Sequence, residues 1–204
     1  MILDYGAGNL RSVIRAVERV GAKPEVASVA AAMDDADVVI LPGVGAAADT
    51  MRNLRERGLV EPIREYIDAD RPFLGVCMGL QALMTVSEEG GEHPCLDVLK
   101  GRVVRLPEGR KIPHMGWNRV RQHRLSPLFE CIPDEAHFYF VHSYYCDMAN
   151  PEEVVASTEY GTDVTAVVER GRLAATQFHP EKSGTYGLRI YRNFLLEHCA
   201  NGTG

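Results

Sequence analysis

A cysteine flanked by glycines is the residue of this sequence best suited to covalent chemistry. Cys77 is the centre of a G-x-C-x-G motif that follows an apolar run and precedes a helical pattern. This arrangement is typical of a nucleophile elbow, a sharp strand-to-helix turn that exposes the nucleophile. Gly75 and Gly79 leave room for the turn, and the helix N-terminus favours a thiolate. A buried cysteine at a strand end is the alternative, and the flanking glycines argue against it.

A thiolate nucleophile requires a base, and a histidine oriented by a carboxylate is the usual one. His179 ends a second apolar run, and Glu181 follows two residues later. Pro180 restricts the backbone between them and predicts an extended bend that turns Glu181 back toward the imidazole. A surface loop with a solvated carboxylate is the alternative. The pair predicts a base and its orienting group for Cys77.

Acyl transfer also requires donors for the negative charge that develops on the carbonyl oxygen. The segment Pro-Gly-Val-Gly at 42–45 follows a predicted strand and is suited to present backbone N–H groups. A plain strand-to-helix turn explains this segment equally well when it is taken alone. The N–H of Met78, directly after the nucleophile, is the second candidate donor.

Other histidines and aromatic residues have weaker claims to chemistry. His142 also ends an apolar run and is the rival base, but no carboxylate lies near it in the sequence. The stretch around His114 and Trp117 is aromatic and apolar, which is more often core packing than a ligand site. We therefore expect Trp117 to lie in the core.

The candidate residues need elements that bring them together. Strands are predicted at 2–5, 25–29, 38–41 and 73–76, and helices at 10–20, 48–57 and 60–69. Alternating strands and helices are typical of a parallel sheet with helices on both faces. Asn9 is predicted to cap the first helix with its side chain. We expect Cys77 and His179 to meet at the carboxyl edge of this sheet.

The C-terminal half has a different pattern. Strand candidates follow one another closely at 102–106, 118–121, 137–142, 154–157, 164–169 and 173–178. Part of this half is therefore predicted to be antiparallel, with a hairpin turn at 169–172, a loop at 143–151 and a last amphipathic helix. Without a recognisable linker or repeat, residues 1–204 are predicted to form a single domain.

Composition argues against several classes of function. The 204 residues are 46% hydrophobic and 25% charged, and no apolar run approaches the ~20 residues that span a bilayer. Residues 1–15 lack the pattern of a signal peptide, so we expect a cytoplasmic protein that does not act at a membrane. The net charge of −6 disfavours nucleic acid as a partner. Five scattered cysteines without a CxxC pair argue against disulfides and a zinc site, and we expect neither a metal nor an organic cofactor.

Together, the motifs GVCMGLQ, PGVG and QFHPEKSG resemble those of class I glutamine amidotransferases. The resemblance implies a flavodoxin-like α/β fold, with a mostly parallel central sheet and an additional antiparallel part. It implies that Cys77, His179 and Glu181 form a catalytic triad. The residues that it assigns to glutamine binding and the oxyanion are Gly43, Val44, Gly45, Met78, Gln81, Ser143 and Tyr144.

Three further segments narrow the resemblance: DYGAGN at 4–9, PHMGWN at 113–118 and FVHSYY at 140–145. They look like those of glutaminase subunits of imidazole glycerol phosphate synthase, an enzyme of histidine biosynthesis. The resemblance implies a heterodimer with a cyclase subunit, a (β/α)₈ barrel on another chain that receives the ammonia. It places Asn9, Tyr139 and Lys182 at the interface. It also implies a first strand slightly longer than one that begins at Ile2.

Four alternatives remain open on the sequence. A dinucleotide site at Gly6 to Gly8 lacks the third glycine of its fingerprint, where Arg11 stands. A binding module of the same fold would not require a reactive Cys77. Metal-dependent hydrolysis would require a compact cluster of ligands that the sequence lacks. A glutaminase that serves a pyridoxal-phosphate or guanylate synthase would not require the PHMGWN and FVHSYY segments.

Overall fold

A computed structural model describes residues 1–6 and 8–199. The helices are α1 (Leu10–Arg19), α2 (Ala47–Glu56), α3 (Val60–Asp68), α4 (Met78–Ala82) and α5 (Gly184–Cys199). The strands are β1 (Ile2–Leu3), β2 (Val26–Ala27), β3 (Val39–Leu41), β4 (Phe73–Val76), β5 (Val86–Ser87), β6 (His93–Pro94), β7 (Gly101–Arg105), β8 (His114–Gln122), β9 (Ala136–His142), β10 (Tyr144–Met148), β11 (Val154–Glu159), β12 (Asp163–Arg170) and β13 (Leu173–Thr176). Among the described residues, no helix is long and apolar enough to cross a membrane.

The main sheet of the described residues has nine strands in the order β2-β1-β3-β4-β13-β12-β11-β8-β9. In this order, adjacent strands in the part β2-β1-β3-β4-β13 are parallel. Adjacent strands in the part β13-β12-β11-β8-β9 are antiparallel. The prediction of an α/β fold with a parallel part and an antiparallel part in the C-terminal half is confirmed.

The pairing of β4 with β13 positions the candidate site. These strands are parallel, and their last residues, Val76 and Thr176, are partners in the register. Cys77 follows the first strand and the segment up to His179 follows the second. Because the carboxyl ends of parallel strands lie at one edge of the sheet, two segments about a hundred residues apart become neighbours.

A smaller sheet in the described part of the chain has the order β10-β7-β5-β6. Its strand β10 lies within residues 143–151, so the prediction of a loop there was wrong. The strand pairs with β7 in an antiparallel register that runs from Tyr144 opposite Arg105 to Met148 opposite Gly101. A short segment with polar residues becomes a strand here because a distant partner satisfies its backbone.

Apolar side chains pack on both faces of the main sheet. Ile2 and Leu3 belong to different core clusters because successive side chains of a strand point to opposite faces. One cluster includes side chains of α2, α3 and the smaller sheet, and the other includes those of α1 and α5. Helices therefore cover both faces, as predicted.

Candidate active site

The turn between β4 and α4 holds Cys77 in an unusual backbone conformation, with φ 54° and ψ −102°. The Cys77 N–H donates to the carbonyl oxygen of Thr176 at 2.7 Å, which ties the elbow to β13. A Cβ at Gly79 would overlap the carbonyl oxygen of Leu41, and one at Gly75 would lie 3.0 Å from the carbonyl carbon of Gly79. Both glycines are thus required by the close approach of strand and helix.

His179 and Glu181 form a buried pair beside this elbow. The Nδ1 atom of His179 lies 2.8 Å from Oε1 of Glu181, and the two side chains are 2% and 1% exposed. The chain between them forms a short 3₁₀ turn, Pro180–Lys182, in place of the predicted extended bend. The turn still folds the carboxylate back onto the imidazole, because proline at its first position restricts the backbone.

Asn9 also binds the buried carboxylate. Its Nδ2 atom donates to Oε1 of Glu181 at 2.9 Å. The predicted role of Asn9 as a side-chain cap of α1 was wrong, because its side chain makes no capping hydrogen bond and its φ is 70°. A buried carboxylate loses more free energy without donors than a helix end whose N–H groups can reach water, so the side chain serves Glu181.

The electrostatics around His179 favour its protonated form. Burial by itself lowers the pKa of His179, but Cys77 and Glu181 together outweigh burial and raise this pKa to about 10. The Nε2 atom is buried and makes no hydrogen bond of ordinary geometry with any described residue. The His179 side chain interacts electrostatically with Cys77, so a cationic imidazole can pair with a thiolate.

Cys77 and His179 line a cavity of about 420 Å³. The cavity also brings together most of the other residues predicted to bind substrate: Val44, Gly45, Met78, Gln81, Ser143 and Tyr144. Gly43 lies behind the wall, where a Cβ would be 2.6 Å from both the Cβ of Met78 and the hydroxyl of Tyr5. The volume lies within the range of pockets that bind small molecules.

Three residues of the cavity wall carry backbone N–H donors that can be traced in the hydrogen-bond network. Within residues 1–6 and 8–199, the N–H groups of Val44, Gly45 and Met78 donate to no protein acceptor. For Met78 this is expected, because the first N–H groups of a helix have no partner inside the helix. Gly45 has a φ of 105°, a conformation that favours glycine. These three N–H groups are therefore candidate donors to a negatively charged oxygen in the cavity.

Gln81 is fixed by two hydrogen bonds. Its Nε2 atom donates to the carbonyl oxygen of Tyr144 at 2.8 Å and to Oε1 of Gln177 at 3.1 Å. Both N–H groups of the amide are therefore occupied, and the side-chain oxygen is the atom with which Gln81 can bind a ligand.

Two polar residues of the site had no assigned role in the sequence analysis. Gln177 is fully buried, and its Nε2 atom lies 3.6 Å from the sulfur of Cys77. Glu89 lines the cavity and accepts a hydrogen bond from the N–H of Ala47 at 2.8 Å. Proximity to His179 in the sequence is a signal that could have drawn attention to Gln177. No local pattern distinguishes Glu89.

An exposed apolar patch on β8 is connected through Tyr139 to Lys182, a residue of the cavity wall. Trp117 is 56% exposed and Met115 is 62% exposed, so the prediction that Trp117 lies in the core was wrong. The two residues alternate on β8, beside the edge strand β9, with one face of the sheet open to solvent. The Trp117 ring packs edge-on against Tyr139 at 6.1 Å, and Nζ of Lys182 lies 5.9 Å from the centroid of the Tyr139 ring. Exposed apolar patches of this kind are typical of interaction sites.

The fold and the sequence define the class of protein. The model of the family "Glutamine amidotransferase class-I" matches residues 1–198. A crystal structure titled as that of a glutamine amidotransferase superposes with a TM-score of 0.75, covering 95% of this chain and 96% of that chain. Its sequence identity is 23%, so this likeness concerns the fold alone. The chain is a glutamine amidotransferase of class I.

Curated relatives identify the family within this class. Imidazole glycerol phosphate synthase subunit HisH of Dehalococcoides mccartyi strain CBDB1 is 51% identical over 194 residues, covering 95% of each chain. The subunit of the same name from Chloroflexus aurantiacus is 50% identical over 198 residues, covering 95% of this chain and 93% of that one. The chain belongs to the HisH family.

Proposed function

We propose that this chain hydrolyses glutamine at Cys77 and passes the ammonia to the cyclase subunit of imidazole glycerol phosphate synthase. The cyclase would join ammonia to a phosphoribulosyl-formimino aminoimidazole carboxamide ribotide, giving imidazole glycerol phosphate and an aminoimidazole carboxamide ribotide. The observation that carries the proposal is a buried His179–Glu181 pair next to Cys77 in one cavity. The subunit name of relatives about half identical over nearly the whole chain supports the choice of partner.

The first step is attack of the Cys77 thiolate on the side-chain amide carbon of glutamine. Because Nδ1 of His179 is held by Glu181, Nε2 is the nitrogen that faces the reacting atoms. The imidazolium gives its Nε2 proton to the departing nitrogen as the carbon–nitrogen bond breaks. The products of this step are a glutamyl thioester on Cys77, ammonia and a neutral His179.

The second step is hydrolysis of the thioester. Neutral His179 takes a proton from water, the resulting hydroxide attacks the thioester carbon, and the carbon–sulfur bond breaks. Glutamate leaves, and the thiolate–imidazolium pair is restored. The new carboxyl group ionises, so the net reaction is glutamine plus water to glutamate, ammonia and a proton. It requires neither a metal nor an organic cofactor.

Both steps develop negative charge on the former carbonyl oxygen. The N–H groups of Val44, Gly45 and Met78, which have no acceptor within the part of the chain that the structure describes, are suited to stabilise it. Glutamine also carries an ammonium group, and the Glu89 carboxylate in the cavity wall has the matching charge. The side-chain oxygen of Gln81 is a further acceptor for a substrate N–H.

Ammonia is protonated rapidly in neutral water and is then no longer a nucleophile, so a sheltered route to its acceptor is advantageous. The patch of exposed Met115 and Trp117 with half-buried Tyr139 adjoins Lys182, which lines the cavity, and it is suited to dock the cyclase barrel. A heterodimer formed there would let ammonia pass directly into the partner. The proposed pathway places the protein in the cytoplasm.

The decisive variant is Cys77→Ser, assayed in complex with the cyclase subunit. We expect glutamine-dependent synthesis of imidazole glycerol phosphate to be abolished, because the hydroxyl is a far weaker nucleophile than the thiolate. Synthesis from added ammonium salts should be largely retained. Cys131→Ser, at an exposed cysteine outside the cavity, is the matched control and should change neither activity. Equal loss of both activities in Cys77→Ser would contradict a role in ammonia supply.

A further inference from the structure

Behind the cavity, two buried histidines form a chain of hydrogen bonds that the proposed mechanism does not use. Nδ1 of His142 lies 2.9 Å from the carbonyl oxygen of Tyr144, and its Nε2 lies 3.0 Å from Nδ1 of His114. Nε2 of His114 lies 3.3 Å from Nδ2 of Asn118. The two histidines are 6% and 3% exposed, and His142 also lines the cavity.

The groups at the two ends of this chain of hydrogen bonds determine which histidine nitrogen atoms donate and which accept. The carbonyl oxygen of Tyr144 can only accept, so Nδ1 of His142 carries the proton. Burial lowers the pKa of His142 to about 3 and that of His114 to about 4, so both rings are neutral. Nε2 of His142 is then an acceptor, and Nδ1 of His114 must donate to it.

The other end of the chain agrees with this assignment. Nδ2 of Asn118 also donates to the carbonyl oxygen of Glu159 at 2.9 Å, and Oδ1 of Asn118 accepts from the N–H of Arg119 at 2.8 Å. The amide orientation is therefore fixed, and its NH₂ group faces His114. The His114 ring is stacked between Phe140 and Tyr160, at centroid distances of 4.8 and 3.9 Å, which fixes its plane.

The chain of hydrogen bonds ends at the carbonyl oxygen of Tyr144, which also binds a residue of the proposed substrate pocket. The carbonyl oxygen of Tyr144 accepts from His142 and from Gln81. Gln81 is bonded in turn to Gln177, whose amide nitrogen lies 3.6 Å from the sulfur of Cys77. A shift of His142 would therefore move the acceptor that orients Gln81.

We propose that His142 and His114 are positioning residues for glutamine, fixed as neutral Nδ1–H tautomers that hold the Tyr144 carbonyl and, through it, Gln81. The inference rests on the proposed function for its substrate. It assigns to two residues of the PHMGWN and FVHSYY segments a role beyond core packing. Neither residue touches the reacting atoms, so their effect is expected on glutamine binding more than on turnover.

Nitrogen NMR of the full chain, labelled with ¹⁵N at histidine, tests the tautomers without an activity assay. We expect two histidines with a protonated Nδ1 and a bare Nε2 between pH 6 and 8. One signal set should disappear in His142→Asn and the other in His114→Phe, which retains a ring for the stack. Histidines 114 and 142 in the Nε2–H form, or titrating near pH 6.5, would overturn the assignment.

A matched pair of variants in the complex tests the positioning role. The side-chain amide introduced by His142→Asn can place an N–H near the former position of the His142 Nδ1. The amide introduced by His142→Gln reaches only the former position of Nε2. Both variants lose the ring, so they share its packing cost, and thermal unfolding will verify this. We expect KM for glutamine to be about two- to tenfold higher in His142→Gln than in His142→Asn, with a smaller difference in kcat.

Equal KM values in the two variants would overturn the positioning role. Glutamine-dependent turnover by the unaltered complex tests the proposed function separately. If that turnover is absent while the tautomers are as assigned, the proposed function fails and the hydrogen-bond chain stands without its substrate role.

Discussion

The buried carboxylate of Glu181 holds His179, the proposed base, through one of its oxygen atoms. Oε1 accepts hydrogen bonds from both His179 and Asn9, while Oε2 is buried without a hydrogen-bond partner of ordinary geometry among the described residues. A desolvated carboxylate depends strongly on each donor that it retains. Asn9 therefore has a direct part in orienting the imidazole, in addition to its predicted place at the partner interface.

Substitution of Asn9 should reduce turnover, and the reduction should be larger for the variant that destabilises the Glu181 carboxylate more. Asn9→Ala removes a hydrogen bond to a charged group, and we expect kcat of the complex to fall by about tenfold. Asn9→Asp should fall further, because it places a second negative charge beside the carboxylate. The measurement is glutamate release at saturating glutamine, with Asn150→Asp as a control at an exposed asparagine. A smaller loss in Asn9→Asp than in Asn9→Ala would contradict this role.

The sequence predicted those parts of the site that local motifs determine. Cys77 lies between its glycines, and His179 lies two residues from Glu181, so short-range backbone geometry suffices to suggest their chemistry. The bond from Asn9 to Glu181 and the contact of Gln177 with Cys77 join residues 172 and 100 positions apart. Only the pairing of distant strands creates such contacts, and no periodicity in the sequence encodes them.

At the scale of elements, the elbow depends on how closely α4 approaches β3. A Cβ at Gly79 would overlap the Leu41 carbonyl oxygen, which belongs to a buried strand and cannot move aside cheaply. We expect Gly79→Ala to lower the free energy of unfolding by at least about 1–3 kcal/mol.

Gly109→Ala is the control for this prediction. Gly109 has a φ of 103°, and a Cβ added there would meet no atom within 4 Å, so that variant costs backbone strain without a packing clash. Urea unfolding of both variants should show the larger loss of stability in Gly79→Ala. A Gly79→Ala protein as stable as the unaltered chain would show that the helix can retreat from β3.

Elements were predictable where the apolar pattern was strong. The strand predicted at 73–76 is confirmed at both ends, and the helices predicted at 48–57 and 60–69 are confirmed within one residue at each end. The strand predicted at 118–121 extends over His114–Gln122, because β9 supplies partners from His114 to Val120 and β11 supplies them at Arg121 and Gln122. The wrong prediction that Trp117 lies in the core has a related reason, since it also depends on the pairing of β8 with β9. Which face of β8 is open to solvent depends on the edge position of β9, and the sequence does not contain that information.

At the scale of the whole molecule, the two buried neutral histidines couple stability to pH. Their pKa values, about 4 for His114 and about 3 for His142, lie below the value of 6.5 expected in the unfolded chain. Below pH 6.5 the unfolded chain therefore binds protons that the folded chain does not, so folding stability falls as pH falls toward 4.

The stability of the unaltered chain should consequently be more sensitive to acid than that of His142→Asn. We expect the difference in unfolding free energy between the two proteins to shrink between pH 7.5 and pH 5, as measured by urea unfolding. The comparison cancels the contributions of other titrating groups that both proteins share. A difference that stays constant over this range would mean that His142 titrates normally when folded.

The proposed docking surface is hydrogen-bonded directly to the segment that carries the proposed base, His179. The N–H of His179 donates to the carbonyl oxygen of Tyr139 at 2.9 Å, and the N–H of Tyr139 donates to Oγ of Ser183 at 2.9 Å. The Ser183 hydroxyl donates in turn to the carbonyl oxygen of His179 at 2.7 Å. Movement of β9 on docking would therefore reach the base of the site through hydrogen bonds alone.

We expect the glutaminase to be nearly idle in the isolated chain and to be activated when the partner binds its nucleotide substrate. The chemical reason is that uncoupled hydrolysis wastes glutamine. The structural reason is the proposed oxyanion segment. Among the described residues, a Cβ at Gly45, whose φ is 105°, would meet no atom within 4 Å, and the N–H of Val44 has no acceptor. A peptide that rotates there could present its N–H to the oxyanion in one state only.

The loss of rate that follows from losing one oxyanion donor is large enough for such a switch. Loss of one oxyanion donor costs on the order of 10²- to 10³-fold in rate. Shifting the population between the two conformations of the segment by that factor requires a change in their free-energy difference of several kcal/mol at most. Glutamate release should be measured for the chain alone, with the cyclase, and with the cyclase plus its nucleotide ligand. We expect the largest increase at the last addition. If the isolated chain already hydrolyses glutamine at the rate of the liganded complex, the oxyanion site is permanently assembled and the segment around Val44 is not a switch.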